Sequence, residues 1–308
     1  MKLASPRSRL RDLASERKGK PIQPLDDFQQ ARSALNLIGY EGAAMIAISG
    51  LDMAEWDALA QAAHLPLVRF LGGSLDSVPA YNSNGLWLSE ISTLAEEAAK
   101  LVEQGGFTAL KLRLGRERFD DDLLVLHVVR KAVGPEMRIM VDFNQGLSLG
   151  NALRWYHALD DQGLYWFEEP IAYNDLDGYA QLARELTTPA QLGENFYGPK
   201  ELSRAIKMSA CDYVMPDLMR IGGVSGWLRA VPVAAAAGIE VSSHIYPETS
   251  APLLRVTETA HWLEWVNWAE PILAEPFEIS GGELKIPNKP GIGIEWNEQA
   301  VAKYQLKE

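Results

Sequence analysis

Seven strand-end positions carry polar side chains after apolar runs: Lys111 with Arg113, Asp142 with Asn144, Glu168, Glu194, Asp217, His244 and Glu264. Successive members, counted from Lys111, lie 20 to 31 residues apart, about one strand-and-helix unit, so they converge if the strands are neighbours in one sheet. Asp142, Glu168 and Glu194 are consecutive carboxylates in that series. Three such groups in one crevice repel one another unless a cation neutralises them, and an all-oxygen set without sulfur suits Mg²⁺. Singly, each also reads as a solvated loop acid or a helix cap; the shared register favours the metal site. Glu169 has the opposite parity to Glu168, and Pro170 ends the strand, so Glu169 reads as a supporting or structural residue.

Of the five histidines, His127 and His157 fall in helical stretches, His64 near a helix end, and His261 has the parity opposite to Glu264. His244 alone ends a strand among the acids. An Asp217 carboxylate on the preceding strand can accept a hydrogen bond from one ring nitrogen and leave the other as a base, although a lone histidine is more often structural. Lys111 and Arg113, two apart on a strand, point to one side. With Leu110 and Leu112 facing outward, the cations face the interior; the plainer alternative is two cations snorkelling at a rim. Glu264 is either an acid held protonated near substrate or the neutralising partner of these cations.

The elements that position these residues alternate. Short β-branched or aromatic runs at Val78–Ser83, Ala109–Leu114, Arg138–Asn144, Leu164–Glu168, Ala190–Asn195, Tyr213–Leu218, Ile239–His244 and His261–Trp265 are separated by helical stretches such as Ser92–Gln104, Asp120–Val133 and Val224–Ala237. Eight strands in this rhythm predict an α/β fold with a closed parallel barrel. An open doubly wound sheet is the competitor. Against it, the first strand is not followed by a dinucleotide-binding glycine turn, and Gly193–Glu194–Asn195 is no phosphate loop. The predicted division is a helical flank over 1–76, the barrel over 77–274, and a segment over 275–308 that returns to the flank and, at Ile279–Trp296, has Gly-Gly and Pro-Gly punctuation.

Composition narrows the function classes. The 308 residues are 47% hydrophobic and 23% charged, which excludes disorder. A formal charge of −12 makes nucleic acid an improbable partner. Val231–Ile239, among the longest apolar runs, is too short to span a bilayer. A single cysteine, Cys211, leaves no disulfide framework, and the basic stretch Met1–Lys20 lacks a secretory apolar core, so the expected compartment is the cytoplasm.

The motifs KLR at 111–113, MVDFNQ at 140–145, WFEEP at 166–170, GEN at 193–195, MPDLMRIGGVSGW at 215–227, SSHIYPE at 242–248 and TAHWLE at 259–264 together resemble the mandelate racemase family of the enolase superfamily. The resemblance runs from about Leu35 to Tyr304. It implies a modified TIM barrel, (β/α)₇β, with a smaller, incomplete α+β capping domain made from both chain ends, and a homo-oligomer. It implies Mg²⁺ on Asp142, Glu168 and Glu194, a base dyad of His244 and Asp217, Lys111 on the substrate carboxylate, Asn144 near the substrate hydroxyl, and Glu264 as an acid that hydrogen-bonds a developing enediolate. The activity implied is abstraction of the proton α to the carboxylate of a 2-hydroxy acid. The alternatives are an acid-sugar dehydratase using His244 as its single base, and a non-catalytic relative that binds carboxylates.

Two departures stand out. Arg113 occupies the place of a family lysine that serves as the second base, and arginine is a poor proton acceptor. The resemblance also begins part-way through the capping domain, so the family's first strands and closing loop are expected to lack a counterpart.

Overall fold

A computed structural model describes residues 6–37 and 39–305; the outermost residues of the two expected flanks, 1–5 and 306–308, lie outside the described residues. Eight strands form the barrel: β1 (Val78–Asn82), β2 (Ala109–Arg113), β3 (Arg138–Asp142), β4 (Trp166–Glu168), β5 (Ala190–Leu192), β6 (Tyr213–Val214), β7 (Glu240–Val241) and β8 (Leu263–Trp265). Each pairs in parallel with the next as far as β7, and β8 pairs in parallel with β1. Closure between β7 and the approach to β8 comes from a parallel bridge, Val241 to Ala260. There Val241 N–H donates to Thr259 O at 2.8 Å and His261 N–H to Val241 O at 2.9 Å. The strands are shorter than the apolar runs that announce them. Lys111, Arg113, Asp142, Glu168 and Glu264 lie within the strands, whereas Asn144, Glu194, Asp217 and His244 lie just beyond the ends of β3, β5, β6 and β7.

Among the described residues four helices precede the barrel: α1 (Pro6–Arg17), α2 (Pro24–Ser33), α3 (Ala43–Ala62) and α4 (Leu67–Phe70). Between the strands follow α5 (Ile91–Glu103), α6 (Phe119–Val133), α7 (Leu149–Leu159), α8 (Leu176–Glu185), α9 (Pro199–Lys207), the pair α10 (Leu218–Ile221) and α11 (Gly223–Ala236), and α12 (Pro247–Leu254). Each strand from β1 to β7 is thus followed by helix and β8 closes the ring, the (β/α)₇β arrangement. Among the described residues no helix is long and apolar enough to cross a membrane.

Strand parity sorts the side chains into two cores. Leu110, Leu112, Ile139, Val141 and Phe167 face out and pack with helical residues such as Leu94, Ala98 and Tyr156. Phe167 and Tyr156 stack with centroids 3.9 Å apart; burying a side chain of that size contributes about 2–3 kcal/mol. Tyr81, Ala109, Met140, Trp166 and Trp262 form a separate cluster inside the barrel. Two residues further along the same strands stand Ser83, Lys111, Asp142, Glu168 and Glu264, all buried. The lumen therefore changes from an apolar plug to a polar layer within one step of the pleat.

The N-terminal helices dock through α3. Helix α11 begins at Gly222 and Gly223, whose φ of 111° and 65° suits glycine and which offer no capping side chain. The missing acceptor comes from α3: Asp52 Oδ2 takes the Ser225 N–H at 2.9 Å. A Cβ on Gly223 would stand 2.5 Å from that carboxylate. Burial, reinforced by nearby Glu55, pushes Asp52 from 3.8 up to about 7 in spite of the Ser225 hydrogen bonds. The folded state therefore holds the Asp52 proton more tightly than the unfolded chain, and stability falls as pH rises from about 4 to about 7, by up to about 4 kcal/mol. Asp52→Asn is expected to be more stable than the parent at pH 8, with the gap shrinking towards pH 5. Urea midpoints at the two pH values test this; a gap that does not change with pH counts against it.

The chain returns to these helices at its end. β9 (Ile279–Ser280) and β10 (Glu283–Leu284) form an antiparallel hairpin, and β10 continues antiparallel onto β1, with Leu284 opposite Val78. Gly291, at φ 74°, then passes α3 so closely that a Cβ would lie 2.1 Å from Asp57 Oδ1, the atom that accepts the Ile292 N–H at 2.6 Å. Helix α13 (Glu298–Tyr304) follows.

Candidate active site

The polar layer is organised around Lys111. Its ammonium lies 2.5 Å from Glu168 Oε1, 2.6 Å from Glu264 Oε1 and 3.2 Å from Asp142 Oδ2. Register explains the gathering: Arg113 stands opposite Asp142 and Asp142 opposite Glu168 across the β2–β3–β4 ladder. Burial opposes the charge on Lys111, but Glu168 and Glu264 outweigh it and hold the ammonium well above its ordinary pKa. Glu168 Oε2 also accepts from Trp166 Nε1 at 3.0 Å and Gln191 Nε2 at 3.1 Å. Burial nevertheless raises Glu168 to about 8, against the pull of Lys111 and with Asp142 and Glu264 adding repulsion. Asn144, at φ 44°, folds back so that its N–H and side-chain amide donate to the two Asp142 oxygens at 2.8 and 3.0 Å.

The second group is built on β6 and β7. Asp217 Oδ1 caps α10 by accepting the N–H groups of Met219 and Arg220 at 2.8 and 3.1 Å, which leaves Oδ2 for His244 Nδ1 at 2.7 Å. His244 Nε2 faces Glu194 Oε2 at 3.3 Å. Although burial disfavours a charged imidazole, Asp217 and Glu194 hold its pKa well above 6.5. An ion that took up Glu194 would remove that anion from Nε2. Glu194 itself sits below its ordinary range, burial being outweighed by His244 and Lys111. Arg220 Nη1 donates to the Glu194 carbonyl at 3.0 Å.

Glu264 receives Lys111, the Ser83 hydroxyl at 2.7 Å and the Ile245 N–H at 2.8 Å. Burial pushes its pKa up, but Lys111 and His244 hold it below the usual carboxylate range. In this arrangement its side chain is the partner of Lys111. Arg113 is buried on the lumen side, and its guanidinium stacks 4.1 Å from the Trp87 ring centroid while bonding to Ser83 and Gly85. Glu169, at φ 40°, points away from Lys111: it accepts the Gly193 N–H at 2.9 Å and the Tyr179 hydroxyl at 3.1 Å. Backbone strain at Asn144, Gln145, Glu169, Ile245 and Tyr246, all with positive φ, collects at this one rim.

Ser83, Gln191 and Arg220 touch these groups without standing out in the sequence. Ser83 continues the inward parity of β1, so its place was readable from period two alone. Arg220 lies beyond β6 in α10, four residues long and too short to show a periodic pattern.

Among the described residues no three His, Cys, Asp or Glu side chains converge on one point tightly enough to hold an ion as they stand; the Lys111 ammonium occupies the space between Asp142 and Glu168. The donor chemistry still fits a hard divalent cation. Asp142, Glu168 and Glu194 offer carboxylate oxygens alone, with Lys111 and His244 as the cationic partners they meet now, and a hard cation takes an all-oxygen set of that kind.

Residues 93–300 match the enolase C-terminal domain-like family model, and residues 8–72 match the mandelate racemase / muconate lactonizing enzyme N-terminal domain. The chain belongs to this family. It is an enzyme of the mandelate racemase and muconate lactonizing enzyme group, whose named relatives include dehydratases, cycloisomerases and epimerases. The L-talarate/galactarate dehydratase of Salmonella typhimurium is 34% identical over 269 residues, 87% of this chain and 68% of the relative. An enolase from the alpha proteobacterium bal199, crystallised with Mg²⁺, superimposes with a TM-score of 0.94 at 52% identity, covering 96% of this family member and 82% of the neighbour. An enolase from Bradyrhizobium, complexed with magnesium and mandelic acid, gives 0.92 at 39% identity, covering 97% and 82%.

Proposed function

We propose that the protein removes the proton α to the carboxylate of a 2-hydroxy acid from one face, with His244 as base, and then expels the hydroxyl of the next carbon, so that the reaction is an acid-sugar dehydration. The observation that carries this reading is the asymmetry of the site. His244 is oriented by Asp217, whereas Arg113, three strands away around the barrel, is permanently charged and has its two Nη groups bonded to Ser83 and Gly85. The dehydratase of Salmonella supports the same class.

Asp142, Glu168 and Glu194 would hold Mg²⁺, whose charge lets a carboxylate accept a second negative charge. Lys111, at the centre of the acids, adds a donor where that charge develops. Breaking the C–H bond sends its electron pair onto the carboxylate as an enediolate and its proton to His244 Nε2. Collapse of the enediolate expels the β-hydroxyl, which takes the proton from His244 and leaves as water; the remaining enol tautomerises to a 2-keto-3-deoxy acid. The mandelic acid complex of the Bradyrhizobium neighbour favours a second reading, exchange or racemisation of a 2-hydroxy acid that lacks a β-hydroxyl.

The test is a panel of sugar acids and simple 2-hydroxy acids incubated with enzyme and Mg²⁺ in D₂O and followed by NMR. The expected result is a 2-keto-3-deoxy product from at least one sugar acid. Deuterium at the α-carbon of recovered acid with no keto product replaces dehydration by the second reading, and no exchange across the panel removes proton abstraction altogether.

A further inference from the structure

We propose that Arg113 is a positioning residue that acts through the Ser83 hydroxyl to lock the Glu264 carboxylate beside Lys111. Arg113 Nη1 donates to Ser83 O at 2.9 Å and Gly85 O at 2.7 Å, and Nη2 donates to Ser83 Oγ at 2.7 Å. Ser83 Oγ lies in turn 2.7 Å from Glu264 Oε1. A guanidinium has donors and no acceptor, so the Ser83 oxygen must accept from Arg113, and its single proton is directed to Glu264. The relay has a fixed direction, from Arg113 through Ser83 to Glu264.

The other neighbours of Glu264 agree with that direction. Lys111 Nζ at 2.6 Å and the Ile245 N–H at 2.8 Å are donors only. The Ser83 N–H donates to Trp265 O at 3.0 Å, which ties the middle of the relay to β8, and the Glu264 N–H donates to Ser243 Oγ at 3.0 Å, which ties its acidic end to the segment after β7. Every contact on the Glu264 side chain is therefore a donor, and both its oxygens are held. An ammonium at position 113 is a compact charge without the planar fork that reaches two carbonyls and a hydroxyl together. The arginine that departs from the family pattern thus has a role of its own: it orients an acidic side chain at the mouth instead of accepting a proton.

Ser83→Ala cuts the relay and leaves both Arg113 bonds to backbone carbonyls in place, so it separates the relay from the clamp on the 83–87 loop. The kinetic arm rests on the α-proton chemistry proposed above. Ser83→Ala is expected to lower kcat about 10-fold with KM little changed, which is the scale of one hydrogen bond to a charged group. The double variant Ser83→Ala/Glu264→Gln is expected to be no slower than Glu264→Gln alone, because Ser83 has nothing left to act through. Multiplying losses in the double variant overturn the proposal, since a merely structural serine would give them. Ser83→Cys, with similar volume and a weak donor, replaces Ser83→Ala in the cycle if the alanine variant does not fold. A parent enzyme with no turnover would remove the functional reading without deciding this one. Crystal structures of the serine variant decide it in that case: Glu264 turned away from Lys111 or the Ile245 N–H supports the relay, and Glu264 unmoved overturns it.

Discussion

His244→Asn is expected to lower the rate of α-proton exchange by about a thousandfold, within the range that a positioned base contributes, while leaving the barrel folded. Asn can still donate to Asp217 Oδ2, so the α10 cap and the β6–β7 junction that meet at the Asp217–His244 bridge should survive. What disappears is the nitrogen at Nε2, the atom that receives the proton. The measurement is deuterium incorporation under saturating Mg²⁺, with the thermal midpoint as a control for folding. Exchange persisting near the parent rate on that substrate face would exclude His244 as the base.

Lys111→Met is expected to carry the largest stability cost. One ammonium, 2% exposed, serves three buried carboxylates at 2.5, 2.6 and 3.2 Å. Removing the cation and keeping the acids leaves uncompensated buried charge, which costs about 3–5 kcal/mol when a buried pair is broken in this way. The loss is measured by urea denaturation in EDTA. Added Mg²⁺ should recover part of it, because an ion that binds the folded acids and not the unfolded chain stabilises by mass action. A variant as stable as the parent in EDTA would mean that the acids do not depend on Lys111. A deficit untouched by Mg²⁺ would count against Asp142, Glu168 and Glu194 as its ligands.

The eight strands were legible because each had to bury a run of apolar residues on both faces, and the βα rhythm leaves a closed parallel ring as the natural way to do so. The site layer was legible for a related reason. With a side-chain period of two, Lys111, Asp142, Glu168 and Glu264 share the parity of Ala109, Met140, Trp166 and Trp262, which line the lumen. Parity alone also separated Glu168 from Glu169, whose carboxylate turns to Gly193 and Tyr179.

Which groups meet across the lumen was settled elsewhere. The pairing of β8 with β1 brings Glu264 beside Ser83, 181 positions away in the chain, and only that closure makes Glu264 a partner of Lys111 and directs Arg113 towards a hydroxyl. In the same way Asp52 reads as an ordinary helical acid until α3 docks on α11 and turns it into a buried cap. The amino-acid order determined which face of each strand is polar, since alternation is a local property of the extended backbone. Partner and protonation state were decided by the folded structure, because both depend on distance and solvent exclusion between segments that meet only when the ring is closed.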